Sequence, residues 1–247
     1  MQESPLGITD TSKTLCVTLL EQHQAYPEHT LFRDDIFDST CQNIRTRNED
    51  RVIQYITRLI VPSAESLAKF SARDTDILIE SVNEGWNNSI PLTKTRPQPD
   101  YSVGFKRAAL TESQLARLSP FIGDYLSGDQ SFFMSTYYMF FPFLTCEVKC
   151  GGSLDIADRQ NAHSTTLAAR GVVELFRAVQ RGDEVSRQIL AFSISHDQNS
   201  VRIHGQYAVV EEGKDTKYYR HPIRKFDFME LNGRDRWAAY QFTKDVY

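Results

Sequence analysis

The sequence predicts an α/β protein built on a mixed sheet, and three observations predict it. Residues 101–105 and 132–150 are apolar runs rich in β-branched and aromatic side chains, as strands are. Residues 155–181 then form the longest helical pattern, with Ala168, Val172, Leu175, Phe176 and Val179 spaced as the stripe of a helix lying on a sheet. Three more strand-like runs follow at 189–195, 201–210 and 218–228, the first two joined by the turn Asp197-Gln198-Asn199-Ser200.

Residues 1–45 are expected to be an N-terminal extension, and residues 46–247 a single domain. The first twelve or so residues are polar and expected to be disordered. Residues 14–23 are amphipathic, and 24–45 read as loop with one or two short turns. From Asn48 the spacing of Val52, Ile53, Ile56 and Leu59 is helical until Pro62 stops it. Ser63 caps a short helix with Glu65 in its first turn, and Asp74 is expected to cap a third helix reaching Trp86. Residues 91–99 hold three prolines and read as an extended connector. Residues 111–126 are helical, opened by Thr111-Glu112 and interrupted near Pro120. The 132–150 run is expected to be two strand segments bent at Pro142.

Composition narrows the function classes. The net charge is −4, and the acidic excess falls within residues 1–98, which argues against bulk nucleic-acid binding but leaves room for a local basic rim. No run approaches the roughly 18 apolar residues of a membrane span. The N-terminus lacks the basic-then-apolar pattern of a secretion signal, so an intracellular location, nuclear or cytoplasmic, is expected. Cys16, Cys41, Cys146 and Cys150 have no paired zinc spacing and suit a reducing compartment. No Gly-x-Ser-x-Gly elbow, phosphate loop or dinucleotide glycine pattern occurs.

The chemistry concentrates at Glu147-Val148-Lys149. Strand alternation sends Glu147 and Lys149 one way and Leu144, Cys146, Val148 and Cys150 the other. A carboxylate and an ammonium in so apolar a run are costly unless paired or holding an ion. Two other acid-x-Lys matches, at Glu212 and Asp215, lie in a polar turn where nothing desolvates them. Pro99-Asp100 opens another strand, so two carboxylates and a lysine can meet at a strand pair. There they can bind a divalent cation and a water, as metal-assisted phosphodiester hydrolysis requires.

Pro99-Asp100, a spacer, Glu147-Val148-Lys149 and a helix carrying Gln160 resemble the PD-(D/E)XK nuclease superfamily. The longer wording is similar to a large family of uncharacterised fungal proteins, over about residues 45–247. It consists of Arg96-Pro97-Gln98-Pro99-Asp100-Tyr101-Ser102-Val103-Gly104-Phe105, residues 143–150, and Asp155-Ile156-Ala157-Asp158-Arg159-Gln160-Asn161-Ala162-His163-Ser164. The resemblance implies a restriction-endonuclease-like mixed sheet flanked by helices. It implies Mg2+ (or Mn2+) on Asp100, Glu147 and the Val148 carbonyl, with Lys149 orienting or activating water and Gln160 reaching the site. A helical glutamate completes the metal shell in many members; Glu84 is preferred here over Glu80, with Glu49 the third candidate. The spacer is long for a bare strand pair and must contain an inserted helix.

A rim for nucleic acid, DNA or RNA, is expected at residues 214–225. There Lys217, Arg220, Arg224 and Lys225, with Lys214 and His221, surround Tyr218 and Tyr219; the plainer reading is a solvated strand face. His196-Asp197 sits at a strand end in a turn and reads as structural. The expected function is metal-dependent phosphodiester hydrolysis. The alternative is a nuclease-like fold kept as a catalytically inactive binding module for nucleic acid or protein.

Overall fold

The computed structural model describes residues 3–70, 73–124 and 127–247. Thr9 opens helix α1 (Asp10–Glu21), its hydroxyl accepting from the Ser12 N–H. Residues 3–9, expected to be disordered, are tied down. The Ser4 N–H donates to the Tyr207 hydroxyl at 2.7 Å, and the Arg187 guanidinium donates to the carbonyls of Leu6, Gly7 and Ile8. Met1 and Gln2 lie outside the described residues. In the stretch expected to be loop, α2 (Phe37–Ile44) buries Phe37, Cys41 and Ile44. Asn48 caps α3 (Glu49–Val52), which runs through a π-turn (Ile53–Thr57) into α4 (Arg58–Ile60). Val52, Ile56 and Ile60 keep the inward spacing of the predicted helix. The Ser63 hydroxyl then accepts from the Ser66 N–H at the head of α5 (Ala64–Phe70).

The third helix expected from Asp74 to Trp86 does not form. A 3-10 turn (Arg73–Ile77) leads instead into strand β1 (Leu78–Val82), antiparallel to β2 (Tyr101–Lys106). A short apolar run fits either period, and pairing with β2 decides it: Leu78 lies opposite Phe105, and the Ser81 and Ser102 hydroxyls meet at 3.2 Å. Glu80 is therefore a strand residue and Glu84 a loop residue.

The inserted helix is present as α6 (Glu112–Ile122), opened by a capping box between Thr111 and Gln114 and carrying Pro120 inside it. Tyr125 and Leu126, the end of the predicted helix, lie outside the described residues. In the 132–150 run only β3 (Met139–Val148) is a strand. Its bend is a bulge at Phe141 (φ 44°), the residue before Pro142, where the register with β2 slips. Gly104 faces the bulge. A Cβ there would lie 2.7 Å from the Phe140 carbonyl oxygen, so no larger residue fits without a shift.

Helix α7 (Asp155–Ala178) carries the chain back, so β4 (Ile189–His196) runs parallel to β3, with Glu147 level with Ser195. β5 (Ser200–Val209) and β6 (Lys217–Asp227) complete an open six-stranded mixed sheet whose spatial order is the chain order. The turn 197–200 joins β4 and β5 as expected. α8 (Glu230–Gly233) and α9 (Ala238–Val246) close the chain. Among the described residues no helix is long and apolar enough to cross a membrane.

The two faces of the sheet differ in chemistry. Leu144, Cys146 and Val148 join Tyr101, Val103, Ile194 and Val201 under Val52, Ile56, Ile60 and Phe242 in the main core. Thr145 and Glu147 point the other way, toward α7. That interface is polar. The Thr145 hydroxyl donates to Asn161 Oδ1 at 2.6 Å, and Asn161 Nδ2 donates to the Ile194 carbonyl and the Ser195 hydroxyl, both at 2.9 Å.

Asn161 therefore sets where α7 sits on β3 and β4. Asn161→Ala would strip partners from three buried groups at roughly 1–3 kcal/mol for each left unsatisfied. Allowing for relaxation, chemical denaturation should read a loss on the order of 2–4 kcal/mol. A loss below about 0.5 kcal/mol would show that the polar layer does not position the helix.

Candidate metal centre

Glu147 lies beside the end of β3 on the α7 side of the sheet, only 3 % exposed, and has no hydrogen-bond partner among the described residues. A buried carboxylate without donors favours its protonated form. Burial, reinforced by the neighbouring Asp100 charge, pushes it up from 4.5 to about 9. Asp100 immediately precedes β2. Tyr101 pairs with Cys146, and one further antiparallel step sets Asp100 across from Glu147. Asp100 Oδ2 accepts the Val148 N–H at 2.7 Å. Burial still raises the Asp100 carboxyl above its ordinary value, and the Glu49 and Asp50 charges add to the rise. Two raised acids side by side are a place for a proton or for a cation.

Lys149 continues the strand, its N–H donating to the His196 carbonyl at 3.0 Å. Its ammonium reaches Glu49 at 3.1 Å, and that bond raises the lysine above its ordinary value. Glu49 is the first residue of α3. The charges acting on Glu147 come from Asp100, Lys149 and Glu49. Of the three candidate glutamates, Glu49 is thus the one the fold brings to the acids. The cap at Asn48 puts Glu49 in the first turn of α3, but only the packing of that helix brings it to Lys149.

Glu84 instead accepts from the Tyr138 hydroxyl. Glu80 accepts from the hydroxyls of Ser63 (2.7 Å) and Tyr101 (2.9 Å) and lies 3.5 Å from Arg58. Gln160 is exposed on α7; its neighbour Asn161, about 100° round the helix, is the side chain turned into the sheet. Stepping the predicted stripe back from Ala168 by threes and fours reaches Asn161 and Ala157, so the pattern already held that residue. The Val148 side chain is buried in the main core, its N–H is held by Asp100, and its carbonyl is the group available to the site.

The expected basic rim is divided by the sheet. Arg220 is 7 % exposed and donates to the Asp158 carbonyl at 2.8 Å and the Ser193 hydroxyl at 3.3 Å, so it braces α7 rather than facing solvent. Tyr219 stacks on Tyr207, while Tyr218 packs beside Val172 and Phe176 on the opposite face, so the two tyrosines form no shared platform. Arg224 pairs with Asp235 at 3.0 Å, leaving Lys217 and Lys225 exposed at the two ends of β6. His196 is wholly buried between the Thr57 hydroxyl and the Asp197 carbonyl, each at 3.0 Å. Burial holds it near 4, a neutral structural ring.

Among the described residues no three His, Cys, Asp or Glu side chains stand as a ready-made metal cage. Asp100 is bound to a backbone N–H and Glu49 to Lys149. Magnesium does not need such a cage, because it takes one or two carboxylates and fills its octahedron with water and phosphate oxygens. Glu147 and Asp100 fit that demand.

Residues 36–247 match the model of one protein family, described as a domain of unknown function (DUF7924). The matched span includes Glu49, Asp100, Glu147, Lys149 and Gln160. No curated protein matches the chain.

The raised Glu147 carboxyl fixes a sign. Between 4.5 and about 9 the metal-free fold binds a proton that the unfolded chain has released, so stability falls as pH rises through that interval. Glu147→Gln removes the titration, and its melting temperature should exceed the parent's at about pH 8 and vary less with pH. Millimolar Mg2+ or Mn2+ should raise the parent's melting temperature, more at about pH 8 than at about pH 6, and leave the variant unmoved. Identical pH profiles for the two proteins in calorimetry would remove Glu147 from this role.

Proposed function

The chain belongs to the DUF7924 family, and we propose that it is a divalent-cation-dependent phosphodiesterase of the PD-(D/E)XK kind, acting on nucleic acid. The observation that carries the reading is the buried Glu147 carboxylate, without a donor, beside Asp100 and two residues before Lys149, which follows directly on the strand. The meander β1–β2–β3, the crossover helix α7 and the parallel β4 accord with the core that the superfamily resemblance implies.

In this reading Asp100, Glu147 and the Val148 carbonyl hold Mg2+ or Mn2+, with Glu49 rather than Glu84 as the additional acid. When bound, the cation supplies positive charge at the phosphoryl oxygen and lowers the pKa of water. The protein's own groups do the rest. Asp100, fixed by the Val148 N–H, stays at the strand pair while its other oxygen remains available. Lys149 holds the attacking water or offsets charge on the scissile phosphate. Water adds to phosphorus and gives up one proton to solvent, one P–O ester bond breaks, and the leaving oxygen takes a proton from solvent. Gln160 is exposed at the second turn of α7, and in this reading it would contact substrate rather than metal.

The binding-module alternative has one observation in its favour: Glu49 already neutralises Lys149 without any cation. A single set of proteins separates the two readings. The parent, with Mg2+ or Mn2+, is assayed against single-stranded, duplex and branched DNA and against RNA. Lys149→Ala should bind metal normally and lose on the order of a hundredfold or more in rate. Asp100→Asn and Glu147→Gln should lose metal binding and cleavage together, Glu49→Gln should weaken metal binding, and Glu84→Gln should do neither. Binding that survives in all variants with no cleavage by the parent would establish the module instead. Equal cleavage by parent and variants would place the activity elsewhere.

A further inference from the structure

Beside residues 49–60 lies a cleft of about 290 Å³, lined by Thr40, Asn43, Arg47, Arg51 and Tyr55. Arg47, in the loop before α3, lines the cleft together with Arg51 of α3 and Tyr55 of the π-turn that follows, while Glu49 is turned to Lys149. Both guanidiniums are held without being neutralised. Arg51 Cζ sits over the Tyr55 ring, 3.7 Å from its centroid, and no side-chain hydrogen bond takes up its N–H groups among the described residues, which leaves them for an oxygen ligand. Arg47 donates its Nε–H to the Asn43 carbonyl at 3.1 Å, leaving its terminal nitrogens. Among the described residues neither has a carboxylate within 4 Å. On the sheet, by contrast, Arg202 and Arg220 are both turned to Asp158.

We propose that Arg47 and Arg51 form a preorganised fork for phosphates of a single nucleic-acid strand, and that this cleft rather than β6 is the substrate-holding surface. Two guanidiniums on one cleft can each grip a phosphate through the paired N–H donors of a planar fork. A small cleft admits one strand more readily than a duplex. The phosphate chemistry is read from the cleft itself, and the proposal rests on the nuclease reading only for taking the phosphates to be those of a nucleic acid.

The test uses the full chain in EDTA, so that cleavage does not interfere. Anisotropy is measured on labelled single-stranded DNA and RNA of about twelve nucleotides, with inorganic phosphate and a nucleoside monophosphate as separate calorimetric ligands. Arg47→Ala/Arg51→Ala should weaken strand binding about tenfold or more and flatten the slope of its salt dependence by roughly 0.7 for each phosphate no longer gripped. Its melting temperature and Mn2+ affinity should match the parent's. Lys at both positions should recover only part of the affinity, since an ammonium keeps charge but not the fork.

Unchanged strand binding in the double alanine variant would overturn the proposal. So would loss of binding in Lys217→Ala/Lys225→Ala instead, or a parent that binds phosphate but no strand. If the parent binds strand through these arginines yet binds no metal, the cleft stands and the phosphodiesterase reading falls.

Discussion

The structure around the site depends on one constraint: near the end of β3 stands a carboxylate that the fold buries and gives no hydrogen bond. Burial of that kind is unfavourable for the ionised group, and the fold meets it by raising Glu147 to about 9 and placing a lysine two residues on. The neighbours make the arrangement less rather than more comfortable. Asp100 stands across the strand pair, and Glu49 and Asp50 approach from the helix that covers the strand ends. Structural ion pairs usually balance their charges; here Glu49, Asp100 and Glu147 all act on the one ammonium of Lys149, an imbalance that a divalent cation would relieve.

The scaffold under the acids is rigid for reasons that have nothing to do with charge. One face of the sheet is an apolar core capped by helices from both ends of the chain, including Val52, Ile56 and Phe242. The other face meets α7 through hydroxyls and amides, with Asn161 bridging β3 and β4 at the point where their parallel pairing needs a fixed register. A polar interface is directional where an apolar one is not, so it fixes α7 along the strands as well as against them. The site inherits that precision, since Glu147 is two residues from Thr145.

Charge is used unevenly across the molecule. Arg202 and Arg220 brace α7 through Asp158 and Asp155, which is why a basic-looking β6 presents little free charge to solvent. The arginines of α3 and the loop before it are held by a ring and a carbonyl instead, which fixes their direction and keeps their charge. An acidic protein can therefore carry a local cationic surface, and composition alone does not reveal on which element it lies.

The sequence by itself determined the α/β class, the crossover helix, the inserted helix in the spacer and the pairing of Asp100 with the Glu147 strand, because each rests on local periodicity or on strand alternation over a few residues. It put Glu147 on the face away from Cys146 and Val148, but that this face is buried under α7 was decided by packing. Tertiary structure decided what depends on neighbours distant in the chain. Residues 78–82 became an edge strand because β2 offered a partner, moving Glu84 off a helix and out of the acid cluster. Glu49 entered that cluster because α3 packs over the strand ends, an approach spanning about a hundred residues that no local pattern encodes. Arg220 turned inward because Asp158 lies above it on α7. Periodicity says which side of an element a residue takes; only packing says what stands on that side to meet it.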